Sequence, residues 1–178
     1  MDIYKKVLTK VKPTEKQKKD FSKISTEFLL TLNKNLNNLN AHAILGGSSA
    51  KDTWLSKSKD VDIFVQFSYQ EYKDKSQEIS NILEKVIKKS FPKLKIEQLH
   101  GSRDYFQMIY EKTLFEIVPI IKIEDSSEAL NITDISPLHA EWVNDRGEIL
   151  KDDIRLAKQF CKAQKLYGAE SYLSSFSG

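Results

Sequence analysis

Two short stretches decide the fold of this chain: Gly46-Gly47-Ser48-Ser49-Ala50-Lys51-Asp52-Thr53-Trp54-Leu55 and, a few residues later, Asp60-Val61-Asp62-Ile63-Phe64. A short apolar strand is expected over residues 41–45, ending at the two glycines, and a short helix is expected from Ser49. Glycine lets the backbone approach a ligand closely, and exposed amides with the Ser48 hydroxyl can bond phosphate oxygens. By itself, this strand–turn–helix is more often a plain turn than a phosphate-binding site.

The second stretch places two carboxylates on one strand. The alternation over residues 61–67 predicts a strand, on which residues two apart share a face. Asp60 and Asp62 would therefore point the same way, while Val61 and Ile63 face the core. Two like charges side by side are unfavourable unless a cation lies between them. A solvated strand start is the simpler interpretation of an isolated Asp-x-Asp, and a metal site is the alternative.

A third acid, Glu116, interrupts an apolar run, Phe115-Glu116-Ile117-Val118-Pro119. An unpaired acid is costly to bury in such a strand. If this strand lies beside the one that bears Asp62, three carboxylates meet at one point. That is a ligand set for two Mg²⁺ ions, which hold the attacking and leaving oxygens in phosphoryl transfer. An exposed strand position would explain Glu116 equally well.

The rest of the chain alternates helical and strand patterns. The predicted helices cover residues 14–39, 69–90, 137–143 and 148–166, with Thr14 as the N-cap of the first. The other predicted strands cover residues 95–99, 105–110 and 114–123. The last two are expected to form a hairpin that turns at Glu111-Lys112.

The final predicted helix has an apolar stripe beside a basic one. The apolar stripe comprises Leu150, Ile154, Ala157 and Cys161, widened by Phe160. The basic stripe comprises Lys151, Arg155, Lys158, Lys162 and Lys165. Lys158 lies in the middle of the basic stripe, where an ammonium can meet a phosphate as a point charge. The outer members are expected to lie on a solvated face.

The composition limits the class of protein. The chain has 178 residues, 40% of them hydrophobic, and a net charge of +3, which permits a nucleic-acid partner without demanding one. No apolar run reaches the roughly 20 residues that span a bilayer, so we expect no membrane association. The Lys-rich N-terminus lacks the apolar segment of a secretory signal. A single cysteine, Cys161, excludes an internal disulfide framework, and we expect a cytoplasmic protein.

The order of these motifs resembles the DNA polymerase β-like nucleotidyltransferase superfamily. The sequence more closely resembles the archaeal-type (class I) CCA-adding enzymes, which are tRNA nucleotidyltransferases. This closer resemblance rests on the two opening stretches, on the Glu116 run, on Ser136-Pro137-Leu138-His139-Ala140-Glu141-Trp142-Val143 and on Leu166-Tyr167-Gly168-Ala169-Glu170. It implies an α+β fold in which helices flank a mixed sheet and a helical segment follows. Residues 1–135 would form a catalytic head, and residues 136–178 the incomplete start of a neck domain.

The resemblance also implies a role for each matching residue. Asp60, Asp62 and Glu116 would be the catalytic carboxylates and bind two Mg²⁺ ions. Glu116 stands where the family usually has Asp, and its additional methylene could shift the metal. The residues implied for nucleotide binding are Gly47, Ser48, Lys51, Arg103, Ser136, His139, Lys158 and Tyr167. The structural alternatives are a core position for Tyr167 and a helix-surface position for His139.

The implied reaction is CCA addition, in which CMP and AMP units from CTP and ATP are added to the 3′ end of tRNA and pyrophosphate is released. The expected partners are therefore tRNA, CTP and ATP. Family members continue through neck, body and tail regions, so a second polypeptide that supplies them is a further expected partner. Two alternatives stay open. One is a small stand-alone nucleotidyltransferase that modifies another RNA, a protein or a small molecule; the other is a non-catalytic nucleotide- or RNA-binding module.

Overall fold

A five-stranded mixed sheet forms the centre of the fold. The computed structural model describes residues 2–58 and 60–166. The strands are β1 (Ala41–Leu45), β2 (Asp60–Ser68), β3 (Ile96–Leu99), β4 (Tyr105–Tyr110) and β5 (Thr113–Lys122). Their order across the sheet is β1-β2-β5-β4-β3. The β2–β5 pair is parallel, and the other neighbours are antiparallel.

Seven α-helices accompany the sheet in the described part of the chain. They are α1 (Ile3–Val11), α2 (Glu15–Leu36), α3 (Gly47–Ala50), α4 (Tyr69–Tyr72), α5 (Ile79–Ser90), α6 (Ser136–Gly147) and α7 (Lys151–Ala163). Short 3₁₀ turns cover Asn37–Leu39, Lys73–Lys75, Ser126–Glu128, Ile132–Ile135 and Glu148–Leu150. The predicted α+β class, with a mixed sheet flanked by helices and a helical segment after it, is confirmed.

The core lies between the sheet and helices α2 and α5. The Phe28 ring of α2 stacks on the Phe115 ring of β5, with a centroid distance of 4.0 Å, and on the Phe91 ring at 4.6 Å. On β2, Val61 and Ile63 are buried in the same core. A fully buried side chain of this size contributes about 1.5–3 kcal/mol to stability. This packing fixes which face of β2 and β5 points away from the core.

Several predicted elements are confirmed closely. Helix α2 begins after Thr14, whose hydroxyl accepts a bond from the Gln17 amide at 3.2 Å while the Gln17 side chain bonds back to the Thr14 amide. The β4–β5 hairpin turns at Glu111 and Lys112, which have φ values of 47° and 65°. Positive φ at both turn residues is the conformation that two-residue hairpins favour.

The single helix predicted over residues 69–90 is wrong. The structure has α4, a 3₁₀ turn and then α5, which begins at Ile79. Residues 73–78 are all polar, so they offer no apolar side chain to bury, and the helix facing the core starts only where the apolar stripe starts. Helix α1 was not predicted; it packs against α7, a contact distant in sequence.

The basic stripe of α7 is only partly exposed to solvent. Arg155 and Lys158 of the basic stripe are buried, with exposed fractions of 2% and 5%, whereas Phe160 is 64% exposed. The expectation of a solvated face is therefore wrong for Arg155, whereas Lys158 was expected to contact a phosphate and that contact stays a prediction. The physical reason is that polar groups of a neighbouring loop bind the buried cations. Among the described residues, no helix combines the length and apolar character required to cross a membrane.

Candidate active site

Three carboxylates lie at the start of the parallel strand pair. Asp62 of β2 is directly beside Glu116 of β5, and Asp60 lies two residues before Asp62 on the same strand. Their neighbours Val61 and Phe115 are buried in the core, at 1% and 0% exposure. Because side chains alternate along a strand, the core packing directs all three acids to the opposite face.

A glutamine on the next strand engages Glu116. Gln107 of β4 pairs with Glu116 in the sheet, and its Nε2 donates to Glu116 Oε1 at 2.5 Å. In the part of the chain that the structure describes, no three His, Cys, Asp or Glu side chains converge closely enough to enclose a metal ion. The convergence expected for the three acids is therefore partial, since Glu116 is turned toward β4.

The electrostatics of Asp62 fit a cation at this position. Burial, followed by the negative charges of Glu116 and Asp60, raises the pKa of Asp62 from 3.8 to about 6, against the opposing effect of Lys51 and Lys158. A bound cation would reverse the repulsion among the acids. Carboxylate oxygens on an open face are also the ligands that Mg²⁺ prefers, because this ion keeps part of its water shell.

The glycine turn packs directly against this carboxylate. Gly47 has a φ of 51°, in the left-handed region that favours glycine. A Cβ atom at this position would lie 1.7 Å from Asp62 Oδ2. The Gly46 amide donates to the Asp62 carbonyl at 2.8 Å, which ties the turn to β2. The side chain of Asp62 can therefore occupy its position only because residue 47 has none.

A cavity of about 310 Å³ opens over these residues. It is lined by predicted site residues from β2, β5, the glycine turn, α6 and α7: Gly47, Ser48, Lys51, Asp60, Asp62, Glu116, Ser136, His139 and Lys158. Further lining comes from Thr53, Trp54, Leu55, Ser58, Phe64, Ala140 and Lys162. The structure thus brings most of the predicted site residues to one cavity.

Two buried lysines face the carboxylates. Lys51 and Lys158 are 8% and 5% exposed. Burial lowers the pKa of both, and for Lys158 the nearby positive charges of Lys51 and Lys162 add to the effect, giving a pKa of about 8. Lys158 Nζ donates to the Thr53 hydroxyl at 3.2 Å. The cavity therefore has a positive wall and a negative wall, as a nucleoside triphosphate with its metal ions requires.

Two residues of α6 complete the cavity wall. Ser136 is the first residue of the helix, and His139 follows one turn later. Burial lowers the pKa of His139, and the positive charge of Lys51 lowers it further. The imidazole is thereby biased toward its neutral form, which can both donate and accept a hydrogen bond.

The structure does not bring Arg103 to this cavity. Its Nη1 lies 2.5 Å from Asp134 Oδ1, and Asp134 is only 1% exposed. A buried carboxylate needs such a cation, so the guanidinium is bound to Asp134. The nucleotide contact of Arg103 stays a prediction. Asp134 also accepts from the Ile121 amide at 2.8 Å, which fixes the segment just before Ser136. Tyr167 lies outside the described residues.

The Nucleotidyltransferase domain family matches residues 26–139, which include the glycine turn and all three carboxylates. The chain belongs to this family. Nucleotidyltransferases typically use divalent metal ions, in keeping with the acidic wall. A structure of CdnC from E. coli MS115-1 with ATP superposes with a TM-score of 0.70 at 19% identity, covering 95% of this chain and 59% of that chain. At this identity the likeness concerns the fold alone.

CCA-adding enzymes are similar to this chain in sequence. The CCA-adding enzyme of Nanoarchaeum equitans is 47% identical over 135 residues, which cover 75% of this chain and 32% of that enzyme. The CCA-adding enzyme of Sulfolobus acidocaldarius is 31% identical over 179 residues, which cover 100% of this chain and 41% of that enzyme. The chain therefore spans well under half the length of these relatives, and the resemblance to CCA-adding enzymes is confirmed.

The residues that sequence reasoning missed include Thr53 in the cavity wall, Gln107 beside Glu116, and Arg155, which lies outside the cavity and binds the loop that carries Thr53. The sequence contained a signal for Gln107, because a two-residue hairpin turn at 111–112 pairs position 107 with Glu116. Thr53 is fully buried beneath Lys158 but carries no motif beyond its place in the opening stretch. Arg155 was assigned to the solvated side of its helix, and periodicity offered no sign of its partners.

Proposed function

We propose that this nucleotidyltransferase domain adds CMP and AMP units from CTP and ATP to the 3′ end of tRNA and releases pyrophosphate. One observation carries the proposal: three carboxylates and two buried lysines line a single cavity beside Gly47-Ser48. The names of the relatives support tRNA as the acceptor. Residues 1–135 would act as the catalytic head and residues 136–178 as the start of a neck. The regions that the relatives carry beyond this length would hold the tRNA.

The acidic wall of the cavity would bind the metal ions, and the basic wall would bind the triphosphate. Asp60, Asp62 and Glu116 would hold two Mg²⁺ ions, which when bound neutralise phosphate charge and make the attacking hydroxyl more acidic. Lys51 and Lys158 would hold the triphosphate, and the Ser48 hydroxyl would donate to it. Because phosphoryl transfer depends on positioning and charge neutralisation, these fixed groups suffice for an in-line attack. The proton of the hydroxyl would leave toward the carboxylate wall.

Incubation of the protein with labelled CTP or ATP and tRNA that lacks its terminal CCA tests the proposal. We expect incorporation that requires Mg²⁺, when the neck, body and tail regions of a relative are supplied as a separate polypeptide. Intact tRNA with a complete CCA end is the control and should accept nothing. Absence of incorporation under all these conditions would contradict tRNA as the acceptor. Turnover with any acceptor would exclude the non-catalytic binding module.

Replacing Glu116 tests the third carboxylate. We expect Glu116→Ala to lower kcat/KM by about 100-fold, because a metal ligand of the reacting phosphate contributes several kcal/mol. Glu116→Asp keeps a carboxylate and restores the usual residue of the resembled family, so it should retain activity. Steady-state incorporation of CMP measures both, with the exposed Glu124→Ala as the control. Full activity in Glu116→Ala would remove Glu116 from the site.

The buried Lys158 predicts a pH dependence. Its pKa of about 8 lies below the ordinary 10.5, so the ammonium in the free protein is lost as pH rises through 8. A bound triphosphate favours the charged form, so KM for CTP should rise above pH 8, by up to roughly tenfold per pH unit. In Lys158→Met we expect a higher KM at pH 7 and a shallower rise between pH 8 and 9.5. Lys165→Met, a change at an exposed lysine, should behave like the wild type. An equal rise of KM with pH in all three proteins would contradict the prediction.

A further inference from the structure

Arg155 is the largest of the fully buried side chains in the described chain, although it lies outside the cavity. Its guanidinium donates to the carbonyl oxygens of Asp52 and Trp54, the second at 3.2 Å, and to Asp52 Oδ1 at 3.0 Å. It also pairs with Asp152 on its own helix at 2.7 Å. These contacts bind α7 to the loop formed by residues 51–55, which we call the 51–55 loop.

The 51–55 loop carries two groups of the cavity wall. Lys51 begins it, and Thr53, whose hydroxyl accepts from Lys158, lies between the two carbonyl groups that Arg155 binds. The Thr53 amide donates to the Ser48 carbonyl at 3.0 Å, so the loop is continuous with the glycine turn. Helix α7 thus binds this loop at two points, through Arg155 and, one turn later, through Lys158.

The backbone of the loop needs such support. Asp52 has a φ of 48°, a left-handed conformation that costs a non-glycine residue free energy and persists only when its surroundings impose it. Arg155 binds both the carbonyl and the side chain of this residue. A planar guanidinium with five donors can satisfy several acceptors in a fixed geometry, which an ammonium cannot do.

We propose that Arg155 is a positioning residue for the triphosphate: by holding the 51–55 loop against α7, it places Lys51 and Lys158 at the phosphate wall of the cavity. The inference rests on the proposed nucleotidyl transfer in requiring a nucleoside triphosphate at this site. Arg155 lies outside the cavity, so it would act on the triphosphate only through Lys51 and Lys158. Loss of the Arg155 side chain should weaken contacts with the β- and γ-phosphates and leave contacts with the rest of the nucleotide largely unaffected.

The test compares the binding of CTP and CMP, in the presence of Mg²⁺, to the wild type, Arg155→Met and Arg155→Lys. A hydrogen bond to a charged group contributes roughly 10–150-fold in affinity, so we expect CTP binding to weaken by roughly 30–100-fold in Arg155→Met and CMP binding by less than about threefold. Arg155→Lys keeps the positive charge but loses the planar guanidinium, so its loss of CTP affinity should lie between that of the wild type and that of Arg155→Met. In the tRNA extension assay KM for CTP should rise more than kcat falls. Arg146→Met, the same change at an exposed arginine of α6, is the matched control and should bind like the wild type.

Each outcome separates this inference from the proposed function. Wild-type affinity for CTP in a folded Arg155→Met protein, or an equal loss for CTP and CMP, would overturn the positioning role. Folding of Arg155→Met is checked by circular dichroism. If this variant does not fold, the same two outcomes are judged on Arg155→Lys: wild-type affinity for CTP, or an equal loss for CTP and CMP, would overturn the positioning role. Failure of the wild type to bind CTP would overturn both proposals. Discrimination between CTP and CMP as expected, without extension of tRNA, would overturn only the acceptor.

Discussion

Replacing Asp62 with asparagine is expected to abolish nucleotidyl transfer and, at the same time, to stabilise the metal-free protein. Activity should fall at least about 1,000-fold, because the amide removes a charge that holds the metal ions. The gain in stability follows from the pKa of Asp62, which is raised from 3.8 to about 6 in the folded state. Ionisation of this buried carboxyl therefore opposes folding.

We expect the contribution of Asp62 to stability to be most favourable in acid. A carboxyl whose folded pKa is higher than its unfolded pKa is most favourable to folding at low pH, and this contribution is lost as pH rises from about 4 to about 6. Above pH 6 the loss is complete and amounts to about 1–3 kcal/mol. Urea unfolding at pH 7.5 in EDTA should show the Asn variant to be more stable by this amount.

Magnesium provides the control for this prediction. Mg²⁺ should raise the free energy of unfolding of the wild type, because it binds the folded carboxylates, and should have little effect on Asp62→Asn. Glu124→Gln, a change at an exposed acid, should respond like the wild type. A less stable Asp62→Asn protein, or one that retains more than about a thousandth of the activity, would contradict the proposed role of this residue.

The second large effect is expected for Gly47→Ala. The added methyl would lie 1.7 Å from Asp62 Oδ2, so either the turn or the carboxylate must move. The φ of 51° adds backbone strain that costs a non-glycine residue about 1–3 kcal/mol. We expect at least a roughly 100-fold loss of incorporation, since the shift falls on the groups that align the reaction. CMP incorporation and thermal unfolding measure the two consequences separately.

Gly147→Ala is the matched control for this change. An added Cβ at Gly147 would meet Val143 Cγ1 at 3.4 Å, an ordinary contact, and Gly147 ends a helix. Its stability should be unchanged or up to about 1 kcal/mol higher, with wild-type activity. If Gly47→Ala behaved in the same way as Gly147→Ala, the close packing of the turn against Asp62 would not matter for the reaction.

Local patterns were enough to predict the sheet, and tertiary partners determined most of what they missed. The alternation in β2 and the turn at 111–112 are local signals, and both predict the structure well. The buried face of α7 is set by acceptors in a loop about a hundred residues earlier in the chain, such as the Asp52 carbonyl. The periodicity of the helix therefore did not predict the burial of Arg155. The ion pair of Arg103 was not predicted for the same reason, because its partner Asp134 lies 31 residues away.

The pairing of Asp62 with Glu116 also bears on how this protein can change over time. In the parallel β2–β5 pair, a shift of one residue would move the acids into the core and expose their apolar neighbours. A substitution that loosens this register would therefore damage folding and chemistry together. Selection for a stable fold therefore preserves the alignment of positions 60, 62 and 116, but it does not preserve the acids themselves, because the buried charge of Asp62 opposes folding.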